Sequence, residues 1–284
     1  MRQVLLFTGL ALSASLGVTF AQPATRGVER VEQIRIPSPD RRTPMRTTVL
    51  RPPGAGPFPL VIINHGSTQN AKRRAAMAAP SYPAVAQWFL ARGYVVALPQ
   101  RPGHGRTGGP YLEDQGGCAN ADFRKAGLAT ADSIETALRH MTALPYVRRD
   151  KVVLVGQSAG GWGALALASR HPAGVAAVIS FAGGRGGRSG DKAGNNCAPD
   201  RLVAAAASFG RGARVPTLWI YTENDSYFGP RLSRRLVDAY RAAGGTAEYR
   251  LLPPYGKDGH RLIDAKDGGE IWGGLVARFL AKVK

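Results

Sequence analysis

The sequence predicts an α/β domain: a mostly parallel sheet with helices on both faces and an antiparallel hairpin at its N-terminal edge. Three observations predict it. Short, continuous apolar runs rich in Val, Ile and Leu recur along the chain, as strands buried on both faces require. Segments of helical character separate the runs, the order that gives right-handed crossovers and parallel strands. The side chains best suited to chemistry fall just after these runs, which in such a sheet gathers them along one edge.

The first 21 residues stand apart. MRQ is a short basic start, VLLFTGLALSASLGVTF is an apolar, small-residue stretch, and Thr19-Phe20-Ala21 is a small-x-small pattern before Gln22. That is the pattern of a secretory signal peptide. The stretch is interrupted by Ser and Gly and falls below the roughly 20 apolar residues that a membrane span needs. The expectation is a signal peptide over 1–21 and a single domain over 22–284, secreted or periplasmic, with no stable membrane insertion after cleavage.

Residues 31–37 and 46–51 alternate imperfectly around a Pro/Asp/Arg turn and read as the antiparallel hairpin. PLVIINHG (59–66) is the first parallel strand and leads to a helical segment ending in YPAVAQWFLARG. YVVALPQ (94–100) leads through a Gly-rich loop to a helix near 122–143. KVVLVGQS (151–158) leads to GWGALALASR, and VAAVISFAG (175–183) follows. PTLWIYTEND (216–225) leads to a helix near 230–243. AEYRLLPPYG (247–256) precedes a last helix near 268–282.

The net charge is +19, and loss of residues 1–21 removes only Arg2, leaving +18. Such a field attracts anions and could attract nucleic acid. The basic residues are scattered, however, and no basic helix interleaved with aromatics occurs, so nucleic acid is excluded as a partner. Arg185 and Arg188 read as solvated surface arginines; the alternative is attraction of a carboxylated or phosphorylated substrate. The two cysteines, Cys118 and Cys197, lie in polar Gly-rich loops (101–121 and 183–200). In an oxidising compartment they predict a disulfide, which would close a cap over the serine described next. No second Cys or His stands at ligand spacing, so no metal is expected, and no cofactor.

Gly156-Gln157-Ser158-Ala159-Gly160 is a G-x-S-x-G between a strand and a helix. The spacing is steric: the serine sits on a sharp turn, side chains at Gly156 and Gly160 would clash, and the Ala159 N–H points where an oxyanion would form. A serine hydroxyl needs a base. Of five histidines, His260 follows the last strand and fits the chain order Ser, acid, His. His65 and His104 precede the serine and read as shaping the pocket walls. The orienting carboxylate should follow the next-to-last strand, where Asp225 stands, with Glu223 and then Asp200 as weaker rivals. Asp258 is too close in sequence to His260. The second oxyanion donor should come from the loop after the first parallel strand, and the Ser67 N–H is the candidate. Trp162, directly after the elbow, reads as a packing residue.

These pieces, the HG loop (65–66), RPGHGRTGG (101–109), GQSAGG (156–161), ENDSYF (223–228) and DGH (258–260), resemble those of an α/β-hydrolase of the dienelactone hydrolase-like group, in the same order and across nearly the whole mature chain. The resemblance implies the α/β-hydrolase fold, a serine-type hydrolase activity, and Ser158, Asp225 and His260 as the triad. It departs at the nucleophile, since dienelactone hydrolases proper use cysteine in a cytosolic enzyme, so it does not name the substrate. The expected function is an exported carboxylesterase acting on a small-molecule ester, small or aryl. Two alternatives stand beside it: a serine peptidase of prolyl oligopeptidase type, and a non-catalytic binding protein of the same fold.

Overall fold

The computed structural model describes residues 30–283, so the signal-peptide expectation lies outside the described residues. In chain order the elements are β1 (Arg30–Ile36), β2 (Met45–Arg51), β3 (Leu60–Asn64), α1 (Ala71–Ala75), α2 (Pro83–Leu90), β4 (Val95–Gln100), α3 (Phe123–Thr142), β5 (Val152–Gln157), α4 (Ala159–Ala168), β6 (Val175–Phe181), α5 (Pro199–Gly210), β7 (Thr217–Thr222), α6 (Pro230–Ala242), β8 (Ala247–Leu252), α7 (Gly268–Ile271) and α8 (Gly273–Ala281). The strands form one sheet in the order β1-β2-β4-β3-β5-β6-β7-β8. β2 pairs antiparallel with β1 and with β4, and the pairs from β4 through β8 are parallel. The protein has the α/β-hydrolase fold, with the expected N-terminal hairpin.

The apolar runs are continuous because both faces of the sheet are covered. Leu60 and Ile62 of β3, Leu154 of β5 and Trp219 of β7 pack with α3, α4, α5 and α6 on one face. Their neighbours Val61, Ile63, Val155 and Leu218 pack with α2 and α8 on the other. Each such side chain contributes roughly 1.5–3 kcal/mol relative to exposure in water. Trp162 is fully buried in the first of these layers.

Two elements differ from the sequence reading. Residues 199–210 form a helix begun by Pro199 at its first turn, a position where the missing N–H is not needed. The last helix is broken at Trp272 into α7 and α8, where the fully buried indole sits among four glycines with little helix propensity of their own.

Candidate active site

The parallel strands end along one edge, and a cavity of about 340 Å³ lies there. Its lining comes from four strand ends: Ser67 after β3, Tyr111 after β4, Ser158 and Ala159 after β5, and Tyr227 after β7, closed over by residues 184–191 after β6.

The elbow is as tight as its sequence requires. Ser158 has φ 52° and ψ −120°, a region an L-residue occupies only when its surroundings impose it. A Cβ at Gly156 would collide with the Gly160 backbone, and one at Gly160 with the Asn64 carbonyl. The glycines therefore let α4 start directly against the end of β3. Ala159 is the first residue of α4, so its N–H has no intrahelical partner.

Asp225 and His260 meet from the ends of the last two strands. His260 Nδ1 lies 3.1 Å and 3.3 Å from the two Asp225 carboxylate oxygens. Asp225 is buried, and its Oδ1 also accepts the backbone N–H groups of Tyr227 at 2.8 Å and Phe228 at 2.9 Å. These bonds fix the carboxylate in place. His260 is the second residue of a 3₁₀ turn (Gly259–Asp264) capped by Asp258, which accepts the His260 N–H at 3.1 Å. Gln157 ties this turn to the elbow by donating to the His260 carbonyl at 3.2 Å. The imidazole stacks on the Tyr227 ring, with centroids 4.0 Å apart and planes 23° from parallel. Among the described residues no hydrogen bond joins Ser158 to His260, a looseness common before substrate binds.

The rival acids lie elsewhere. Glu223 is exposed, Asp200 pairs with Arg235 at the surface, and Asp258 serves the cap. The predicted second donor, Ser67, lines the same cavity as Ser158 and Ala159. Cys118 and Cys197 form a disulfide across 79 residues, with Cα atoms 5.1 Å apart, and both line the cavity.

The surface reading of Arg185 is overturned. Arg185 is buried at 5 % exposure and donates to Glu113 at 2.5 Å, to Thr130 Oγ1 at 2.7 Å and to the Tyr111 hydroxyl at 3.2 Å. Glu113 also pairs with the buried Arg101. Burial alone would push the Glu113 carboxyl up, but the Arg101 and Arg185 guanidiniums hold it well below the usual carboxylate range. Arg188 is half-buried, donates to the Ser226 hydroxyl and the Asp191 carbonyl, and lines the cavity. Sequence reasoning missed Arg101, Tyr111 and Glu113. No local pattern marks them, because Glu113 meets Arg185 across 72 residues.

Residues 60–281 match the model of the alpha/beta hydrolase family. None of the curated proteins compared with the chain matches it. Among solved structures it is similar to the esterase Pf2001 of Pyrococcus furiosus, with 16 % identity, TM-score 0.65 and coverage of 94 % of this chain and 97 % of that one. It is similar to a putative dienelactone hydrolase from Klebsiella pneumoniae, with 16 % identity, TM-score 0.59 and coverage of 89 % and 98 %. An acylaminoacyl peptidase of Pyrococcus horikoshii aligns at 15 % identity and TM-score 0.63, over 91 % of this chain but 42 % of that one. At these identities the likeness speaks for the fold.

Proposed function

The chain belongs to the alpha/beta hydrolase family and is a hydrolase, and from that premise we propose that it is an exported serine carboxylesterase acting on small or aryl esters. The observation that carries the reading is a cavity lined by a strained serine and the residues of two backbone donors, with a buried carboxylate–imidazole pair stacked against Tyr227 of its lining.

In the proposed cycle His260 takes the Ser158 proton as the hydroxyl attacks the ester carbonyl. Asp225 holds the imidazole in the tautomer with its proton on Nδ1 and stabilises the imidazolium that forms. The N–H groups of Ser67 and Ala159 receive the developing oxyanion, where loss of one donor typically costs about 10²–10³ in rate. His260 returns the proton to the leaving alcohol, and water then cleaves the acyl-enzyme by the same route. The steps require no metal and no organic cofactor.

The cavity of about 340 Å³ suits a small substrate, and the esterase neighbour is covered almost end to end. The Cys118–Cys197 bond fits an oxidising compartment and supports export. The test is hydrolysis of p-nitrophenyl esters from acetate to octanoate, with fluorophosphonate labelling and Ser158→Ala alongside. Turnover that falls with chain length, with labelling confined to Ser158, is expected. Turnover and labelling that persist in Ser158→Ala would remove the reading.

A further inference from the structure

A second serine–histidine pair adjoins the same cavity, which Ser67 and Tyr111 line with His104 behind them. Ser67 Oγ is 2.8 Å from His104 Nε2 and 3.2 Å from the Tyr111 hydroxyl. A guanidinium only donates, so Tyr111 accepts from Arg185 Nη1 at 3.2 Å and its own O–H is free to donate to Ser67. His104 Nδ1 lies 3.0 Å and 3.2 Å from the carbonyls of Pro102 and Arg101, which only accept, so Nδ1 carries the proton. His104 Nε2 is then an acceptor, and the Ser67 O–H donates to it. Burial, the largest influence, lowers the His104 pKa to about 4, which keeps this neutral form at working pH. The chain runs one way, from Arg185 through Tyr111 and Ser67 to His104, and starts at an arginine held by Glu113.

The peptide that joins Gly66 to Ser67 is held on its other side too. His65 Nε2 accepts the Arg101 N–H at 3.1 Å, so His65 Nδ1 carries the proton that it donates to the Gly66 carbonyl at 2.6 Å. In a trans peptide the N–H points opposite to the C=O. Fixing the Gly66 carbonyl therefore fixes the direction of the Ser67 N–H.

We infer that Ser67 Oγ, Tyr111 and His104 are positioning residues that aim the Ser67 N–H at the oxyanion, and that the Ser67–His104 pair is not a second nucleophile and base. The inference rests on the serine-esterase reading above. It spends the Ser67 proton on His104, so the side chain has no hydrogen to offer the substrate and acts only through its own amide.

Ser67→Ala cuts the chain and leaves the amide in place. With p-nitrophenyl acetate, kcat is expected to fall about tenfold or more, below the 10²–10³ of losing a donor outright, while KM stays within twofold. Affinity for an arylboronic acid, whose tetrahedral adduct mimics the oxyanion, should fall by the same factor. Ser67→Thr restores the hydroxyl and should bring kcat back to within about threefold. Tyr111→Phe, one link further away, should lower kcat less, again with KM unchanged. Unfolding midpoints of each variant separate a lost fold from a lost donor. A Ser67→Ala enzyme with kcat within twofold of wild type overturns the inference, as does a loss confined to KM with boronate affinity intact. If the wild-type protein neither turns over the ester nor takes a fluorophosphonate at Ser158, the esterase reading falls and this role with it. If wild type does both and Ser67→Ala is unimpaired, only the positioning role falls.

Discussion

Ser67 and Ser158 line one cavity, each is matched with a histidine, and the pair with the better hydrogen bond is not the one for which the chemistry is proposed. Ser67 and His104 are bonded at 2.8 Å, whereas among the described residues no hydrogen bond joins Ser158 to His260. The difference lies behind each ring. His260 Nδ1 faces a buried carboxylate, which in the proposed cycle stabilises the positive charge on the ring once it takes a proton. His104 Nδ1 faces two neutral carbonyls in a buried site that opposes that charge, so it can receive a hydrogen bond but not a proton. The turns differ as well. Ser158 stands on an elbow at φ 52° beside an amide with no partner in its helix, while the Ser67 hydroxyl is already engaged by His104 and Tyr111. A nearby imidazole is thus a weak sign of a base; what that imidazole leans on is the stronger one.

The sharpest way to break this comparison is to change the two back partners in turn. Ser158→Ala is expected to abolish measurable turnover. Asp225→Asn, which leaves the shape but favours the wrong imidazole tautomer, should lower kcat by about 10³–10⁴. His104→Gln should cost about tenfold in kcat and keep fluorophosphonate labelling at Ser158. Steady-state kinetics on one ester decide the matter. A His104 variant as dead as the Asp225 variant would show that the second pair also moves protons.

The next effect concerns what anchors each pair. Asp225 is held by backbone amides of its own loop. The Ser67 side rests on buried charge, with Glu113 between Arg101 and Arg185, and on a disulfide that ties the same two loops. Glu113→Ala leaves two guanidiniums buried without their carboxylate, and breaking a buried pair in this way costs about 3–5 kcal/mol. Cys118→Ser opens a loop of 79 residues, for which chain entropy gives about 4.5 kcal/mol. Urea unfolding monitored by tryptophan fluorescence measures both. A loss under 1 kcal/mol in Glu113→Ala would mean that the cluster does not anchor this wall.

The same contrast explains what the sequence made legible. The strand order, the elbow, and the residues Asp225 and His260 are local or positional signals: an apolar run stops, and a polar residue stands at its end. Gly156 and Gly160 announce themselves because only glycine fits where α4 meets β3. Arg185 was misread because its surroundings in sequence, GGRGGRSG, are those of an exposed loop. Its burial depends on Glu113, 72 residues away, and a long-range ion pair leaves no periodicity or spacing to detect. Helix α5 was missed for a related reason. Its alanine-rich run follows a Gly-rich loop and carries no polar N-cap, with Ala198 in that position and no side-chain capping bond. His65 and His104 read as pocket wall, yet neither lines the cavity; they stand behind it, on Ser67 and Arg101, and only the three-dimensional set of partners fixes their tautomers.

The smallest effect expected is a pH dependence of stability that belongs to the Ser67 side. Burial lowers the pKa of His104 to about 4 and that of His65 well below its ordinary 6.5. Above pH 6.5 both are neutral whether the chain is folded or unfolded, and they contribute no pH dependence. Below 6.5 the unfolded chain binds protons that the folded chain refuses, so stability falls as pH falls, through the folded value of about 4 for His104. Near pH 5 each such group steepens the loss by about 1 kcal/mol per pH unit. Glu113, held low by its arginines, adds a loss of the same sign only once the pH nears its ordinary 4.5, so the window from 6.5 to 5 isolates the histidines. His104→Gln removes one of the two groups and should make the urea-unfolding free energy fall less steeply across that window. Equal slopes for wild type and variant would mean that His104 is not held neutral by the fold, and the one-way chain through Ser67 would lose its acceptor.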